Sequence, residues 1–203
     1  MPNQDQEIEV KFLVRDLKVI EERLIALGAS RSAERVRETN LRFDTPEGEL
    51  TRRHQVLRLR QDAGAVMTFK GPAQAGESVS VRQEIEFEVS DFGAAQRLLE
   101  ALGYVVSVIY EKYRTTYSLG ALEVVLDEMP FGSFLEIEGP DSASIQRLAE
   151  DLRLDWPARS SASYLALFNQ LRAARSLSAQ NLTFAELAGV NAAPEDLGLR
   201  YAG

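Results

Sequence analysis

Segment after segment of this chain alternates ionisable and bulky apolar residues with period two. That pattern narrows the available folds more than any other feature. In Glu7-Ile8-Glu9-Val10-Lys11-Phe12 the charged and apolar residues fall on opposite faces of an extended strand. Val56-Leu57-Arg58-Leu59-Arg60 sets two arginines against two leucines, and Arg82, Glu84, Glu86 and Glu88 oppose Ile85, Phe87 and Val89. Lys112 and Arg114 share a face, as do Glu136 and Glu138, while Lys70 and Asp127 end two further strands. An open antiparallel sheet with its polar face in water gives the same alternation. Such faces usually mix Thr, Ser, Gln and Lys, whereas here the positions are nearly all Glu, Asp, Arg or Lys. The pattern therefore favours a closed barrel with a charged interior and its apolar faces turned outward beneath helices.

The order of elements supports this. Strands are expected at Glu7–Val14, Arg35–Phe43, Gln55–Gln61 and Val66–Lys70, with a helix over Asp16–Leu27 that stops at Gly28. The pattern then begins again: a strand over Arg82–Val89, a helix over Asp91–Leu102 that stops at Gly103, and strands at Val105–Leu119, Ala121–Leu126 and Phe134–Glu138. Glu7-Ile8-Glu9 matches Glu84-Ile85-Glu86, and Ala26-Leu27-Gly28 matches Ala101-Leu102-Gly103. We read this as an internal pseudo-repeat of strand, helix and three strands. Two such units supply eight mostly antiparallel strands, enough to close a barrel. The fold class is thus α+β. Helices follow at Ala143–Leu152 and Ser163–Arg175. In the tail, Thr183-Phe184-Ala185-Glu186 has capping-box form and predicts a short helix with looser chain around it. The domain is expected over 1–175 and the tail over 176–203.

Composition excludes several chemistries. There is no cysteine, which removes thiol nucleophiles and cysteine–zinc sites and fits a cytoplasmic protein. Met1–Asp5 shows neither a basic leader nor an apolar stretch, and no apolar run suits a membrane span. The net charge of −8 argues against nucleic acid as a partner. One histidine, His54, lies in a polar loop-like stretch, so any metal must be held by carboxylates. That points to a hard cation such as Mg²⁺ or Mn²⁺. Inside the barrel, Glu7, Glu9, Glu84, Glu86, Asp127, Glu136 and Glu138 would balance Lys11, Arg58, Arg60, Lys70, Arg82, Lys112 and Arg114, seven acids against seven bases. Adding divalent cations would make such an interior positive and complementary to a triphosphate.

The chain resembles the CYTH superfamily, which groups class IV adenylate cyclases with thiamine triphosphatases and inorganic triphosphatases. The resemblance spans roughly residues 5–170. It rests on Glu7-x-Glu9-x-Lys11, Asn40-x-x-Phe43-Asp44-Thr45, Leu57-Arg58-Leu59-Arg60 and Thr68-Phe69-Lys70-Gly71-Pro72. It continues through Arg82-x-Glu84-x-Glu86, Glu111-Lys112-x-Arg114-x-x-Tyr117, Asp127, Phe134-Leu135-Glu136-Ile137-Glu138-Gly139 and Ser163-Tyr164-x-x-Leu167. It implies an eight-stranded triphosphate tunnel with Glu7, Glu9, Asp127, Glu136 and Glu138 holding metal. Lys11, Arg58, Arg60, Lys70, Lys112 and Arg114 would grip phosphates, and Lys11, Arg58, Lys70 and Arg114 would bear most directly on catalysis. Arg82, Glu84 and Glu86 would line the tunnel and orient these groups, Arg82 also serving as a phosphate contact. Lys11 is read as a phosphate contact rather than a deprotonated base. The implied substrate is tripolyphosphate, ATP or thiamine triphosphate, with hydrolysis favoured over cyclisation of ATP and over a non-catalytic binding module. The chain is expected to act as a monomer or homodimer. It departs from the family pattern at Ala162, where relatives often carry a basic residue, and at Arg42, where many carry tyrosine.

Overall fold

The computed structural model describes residues 6–74 and 79–203. The reading of Met1–Asp5 lies outside the described residues. Eight strands form: β1 (Gln6–Val14), β2 (Ser30–Asp44), β3 (Val56–Gln61), β4 (Ala65–Lys70), β5 (Ser80–Glu88), β6 (Val105–Leu119), β7 (Leu122–Met129) and β8 (Gly132–Glu138). They close into a ring in the order β1-β5-β4-β3-β2-β6-β7-β8, every neighbouring pair antiparallel. Exchanging β1–β4 with β5–β8 leaves this cyclic order unchanged, so the pseudo-repeat in the sequence is a pseudo-twofold in the ring.

The helices are α1 (Leu17–Ala26), α2 (Glu49–Arg52), α3 (Phe92–Ala101), α4 (Ser142–Asp151) and α5 (Tyr164–Arg175). The repeat extends to their caps. Asp16 caps α1 by accepting from the Lys18 amide, and Asp91 caps α3 by accepting from the Ala94 amide, both at 2.8 Å. Both helices end before a glycine with positive φ, 88° at Gly28 and 92° at Gly103, where a side chain would be strained.

The apolar faces of the strands point outward. Phe12, Leu135 and Ile137 are wholly buried with Ile20 and Leu24 of α1 and Ile145, Leu148 and Leu152 of α4. Each such side chain contributes roughly 1.5–3 kcal/mol on burial. On the other side of the ring Leu41, Phe43, Leu59 and Met67 pack under Leu99 of α3. The helices do not cover everything. On β5, Ile85 is 42% and Phe87 55% exposed.

Four elements differ from the sequence reading, the first being α2, a single helical turn where only turn and loop were expected. Strand β2 begins at Ser30, not Arg35, because the polar run from Ser30 pairs with the far end of β6 despite lacking apolar alternation. Strand β7 extends to Met129, placing Asp127 within it. Residues 184–189 form successive turns, not a helix. The Glu186 carboxylate there reaches back to the amides of Gln180 and Asn181 (2.7 and 3.0 Å) instead of completing a helical cap. Nor is this segment loose. Leu182 joins the sheet through a bridge to Tyr110, and Leu187 and Leu197 are buried with Phe168 and Leu171 of α5.

Helix α5 has a separate position. Leu13, Phe134 and Met129 continue the inward faces of β1, β8 and β7 beyond the charged rows, and they pack with Tyr164, Leu167 and Phe168. The interior therefore changes from charged to apolar at this end, which α5 and the tail close. Among the described residues, no helix is long and apolar enough to cross a membrane.

Candidate active site in the barrel lumen

The inward faces enclose a cavity of about 510 Å³. Its wall includes every base named from the sequence: Lys11 on β1, Arg58 and Arg60 on β3, Lys70 on β4, Arg82 on β5, and Lys112 and Arg114 on β6. Of the acids, Glu7, Glu9, Glu84, Glu86, Glu136 and Glu138 also line it. Asp127 does not. It is wholly buried behind the wall, and its oxygens accept from Arg114 (2.7 and 2.5 Å), Lys112 (3.0 Å) and the Tyr164 hydroxyl (2.8 Å).

Strand register sets which charges meet. Lys11 stands opposite Glu136 and pairs with it at 2.5 Å. Arg114 joins Glu136 at 2.6 Å. Burial opposes both charges, but the attraction wins: Lys11 rises above the usual lysine range and Glu136 falls well below the carboxylate range. Lys11 is therefore held as a cation. Around the ring Glu7 binds Lys70 at 2.6 Å and Arg82 at 2.9 Å. These bases outweigh burial and hold Glu7 down at about 2.

In a second set of acids burial and like charges outweigh the nearby bases. Glu138 sits directly opposite Glu9 on β1 and Glu123 on β7, and like charges so placed repel. Its carboxylate lines the lumen within the barrel walls. Desolvation and the charges of Glu7, Glu123, Glu84 and Glu9 push it up to about 8. Glu84 is raised to about 7, first by burial and then by Glu7, with Lys70 opposing.

Two acids on the inward face escaped the sequence reading. Glu38 on β2 is 2% exposed and lies among Lys112 (3.5 Å), Arg60 (3.8 Å) and Arg114 (3.9 Å). Burial resists its ionisation, but these bases with Arg58 hold it at about 2. The signal was present as Glu38-x-Asn40-x-Arg42, another period-two face. Glu123 is the other, and alternation from Glu123 through Val125 to Asp127 would have found it. Asp44 proved structural: its carboxylate accepts from the amides of Thr45, Leu50 and Thr51 and from the Thr51 hydroxyl, fixing the turn into α2.

The model of the CYTH domain family matches residues 5–162. This chain belongs to the CYTH family. No curated protein sequence matches it. Among solved structures, a candidate adenylate cyclase from Vibrio parahaemolyticus superposes with a TM-score of 0.71 at 24% identity, covering 81% of this chain and 98% of that one. A protein of Pyrococcus horikoshii OT3 gives 0.66 at 26% identity, over 78% and 97% of the two chains. HpAC1 from Hippeastrum, a candidate adenylyl cyclase described as having a dominant triphosphatase activity, gives 0.60 at 23% identity, over 80% and 95%.

Enzymes of the CYTH family generally depend on a metal ion. All the donors are carboxylate oxygens, which suits a hard cation. The mutual repulsion that raises Glu138 is what a cation beside Glu7, Glu9 and Glu138 would relieve. Among the described residues, no three acids already converge as a ligand set. Glu7 and Glu136 are paired with bases but line the lumen, whereas buried Asp127 would have to leave Lys112 and Arg114 to reach a metal.

Proposed function

We propose that this CYTH enzyme is a triphosphatase that hydrolyses a terminal phosphoanhydride bond inside the barrel. Family membership places the chain among enzymes acting on triphosphates. One observation carries the choice of lumen and ligand: seven bases on five different strands converge on one cavity of about 510 Å³. A single small ligand with charge along its length can meet all of them, and a triphosphate is such a ligand.

In this reading Glu7, Glu9 and Glu138, joined by Glu136, hold Mg²⁺ or Mn²⁺, and Asp127 keeps Lys112 and Arg114 in place. The metal, when bound, supplies charge neutralisation on the phosphate oxygens and activates water. The protein's own part is positioning and electrostatics. Phosphoryl transfer proceeds through a loose transition state that demands little covalent help. Arg58, Arg60, Lys112 and Arg114 fix the chain of phosphates, and Lys11, permanently charged, stabilises negative charge on the departing phosphate. Tyr164 holds Asp127 through its hydroxyl, so the closed end of the barrel sets the angle of the Lys112–Arg114 pair. The wall offers few apolar groups, Val56, Ile85, Val125 and Leu165, and its two tyrosines are tied up by hydrogen bonds to Arg58 and Asp127. That favours hydrolysis over a cyclase reaction, which needs a base pocket.

Product analysis tests this. Purified protein is incubated with tripolyphosphate, ATP and thiamine triphosphate, each with Mg²⁺, Mn²⁺ or chelator. Metal-dependent orthophosphate release is expected. Cyclic AMP with pyrophosphate as the main products, or binding with no product, would replace this reading.

A further inference from the structure

Every base of the lumen discussed so far lies within 4 Å of a carboxylate, with one further base as the exception. Arg42, on the inward face of β2, also lines the cavity, and no ion pair reaches it among the described residues. Its Nε is buried without a hydrogen-bond partner, and its sole side-chain contact of that kind is a 3.5 Å donation to the Gln55 carbonyl. Across the ladder it faces not an acid but Arg58. The Tyr110 phenol favours its charge without pairing with it, and Asp44, the carboxylate that acts on it, has its oxygens occupied by Thr45, Leu50 and Thr51. Burial and the neighbouring charges of Arg58 and Arg82 accordingly push the guanidinium below the usual arginine range.

A half-buried cation with no counter-ion, its Nε sealed from solvent and another cation beside it, is costly to the free protein. An anion arriving from outside is what completes it. Near Glu9, Glu123 and Glu138 the lumen needs cations before it can accept a phosphate; around Arg42 and Arg58 it does not. We infer that Arg42 is a specificity-determining residue that binds a phosphate directly, and that the preferred substrate is an inorganic linear polyphosphate. This rests on the triphosphatase reading and narrows it. Tripolyphosphate carries charge on every unit and satisfies both regions at once. A nucleoside triphosphate must place its uncharged sugar and base in one of them.

The test compares wild type with R42M, R42Q and R42K by titration calorimetry with Mg²⁺ at a temperature where turnover is negligible, and again in chelator, using tripolyphosphate and ATP as probes. Melting temperature is measured without ligand; the losses given next are those with Mg²⁺. For R42M and R42Q, the affinity for tripolyphosphate should fall by about tenfold or more, the loss of a charge-assisted contact, and that for ATP by less than about twofold. R42K should retain part of the tripolyphosphate affinity. The ligand-free melting temperature of R42M should rise by a few degrees, since a half-buried charge without a counter-ion is removed. A residue with a purely structural role would lower it. Equal losses on both probes would overturn the substrate class, and a selective loss on ATP would assign Arg42 to a base or sugar contact instead. Unchanged affinity for tripolyphosphate would remove Arg42 from the site. Failure of the wild type to bind either probe even with Mg²⁺ would overturn the triphosphatase reading itself.

Discussion

Replacing Glu38 with glutamine keeps the shape of a side chain that is 2% exposed and removes one charge from among Lys112, Arg60 and Arg114. These bases hold the carboxyl at about 2 instead of its ordinary 4.5, which corresponds to ~3 kcal/mol of stability at neutral pH. For a depressed carboxylate that contribution is complete above 4.5 and is lost as the pH falls through about 2. Glu38→Gln should therefore lower the unfolding free energy by about 3 kcal/mol at pH 7, or the melting temperature by about 6–12 °C for a domain of this size. The gap between variant and wild type should close progressively below pH 4.5. Denaturant unfolding across pH 2–7, with constant m-values, measures it. A variant within about 0.5 kcal/mol of wild type at pH 7, or a gap that does not depend on pH, would refute the view that Glu38 is the counter-ion of the three bases.

Three further outcomes are expected. Glu138→Gln should reduce metal-dependent turnover by about a hundredfold or more with no loss of ligand-free stability, because four acids repel the charge it removes; steady-state rates and a melting curve decide this. Arg58→Ala should weaken tripolyphosphate far more than orthophosphate in calorimetry, since a longer anion meets more of the wall. Leu187→Ala, at a buried position where the tail meets α5, should cost about 2–5 kcal/mol in denaturant unfolding, whereas a loosely attached tail would make it neutral.

The ring and its interior were legible because period-two alternation states which face is which, and ionisable residues on that face state what it encloses. Lys11, Arg58, Arg60, Lys70, Arg82, Lys112 and Arg114 were all found this way. The repeat was legible at the helix ends, where Asp16 and Asp91 cap and Gly28 and Gly103 stop. What stayed hidden depends on register and on contacts distant in sequence. Alternation puts Asp127 on the inward face but cannot show that Lys112, Arg114 and Tyr164 close over it. Nor can it show that Glu138 stands opposite Glu9 and Glu123 and not opposite a base. The first residues of β2 lack the pattern because a sheet partner, not burial, makes them extended. The capping-box form at Thr183 is a local signal. Glu186 found partners at Gln180 and Asn181, and the docking of Leu182 on β6 fixed the chain in turns.

The central claim is that a triphosphate binds within the closed, charged lumen together with a cation held by acids of β1 and β8. A crystal structure with tripolyphosphate and Mn²⁺, read by the anomalous signal of the metal, tests it most directly. The account predicts Mn²⁺ on carboxylates drawn from Glu7, Glu9, Glu136 and Glu138, with phosphates in contact with Arg58, Arg60, Lys112 and Arg114. Phosphate density on the outer surface, or Mn²⁺ bound away from these acids while the lumen holds only water, would contradict it.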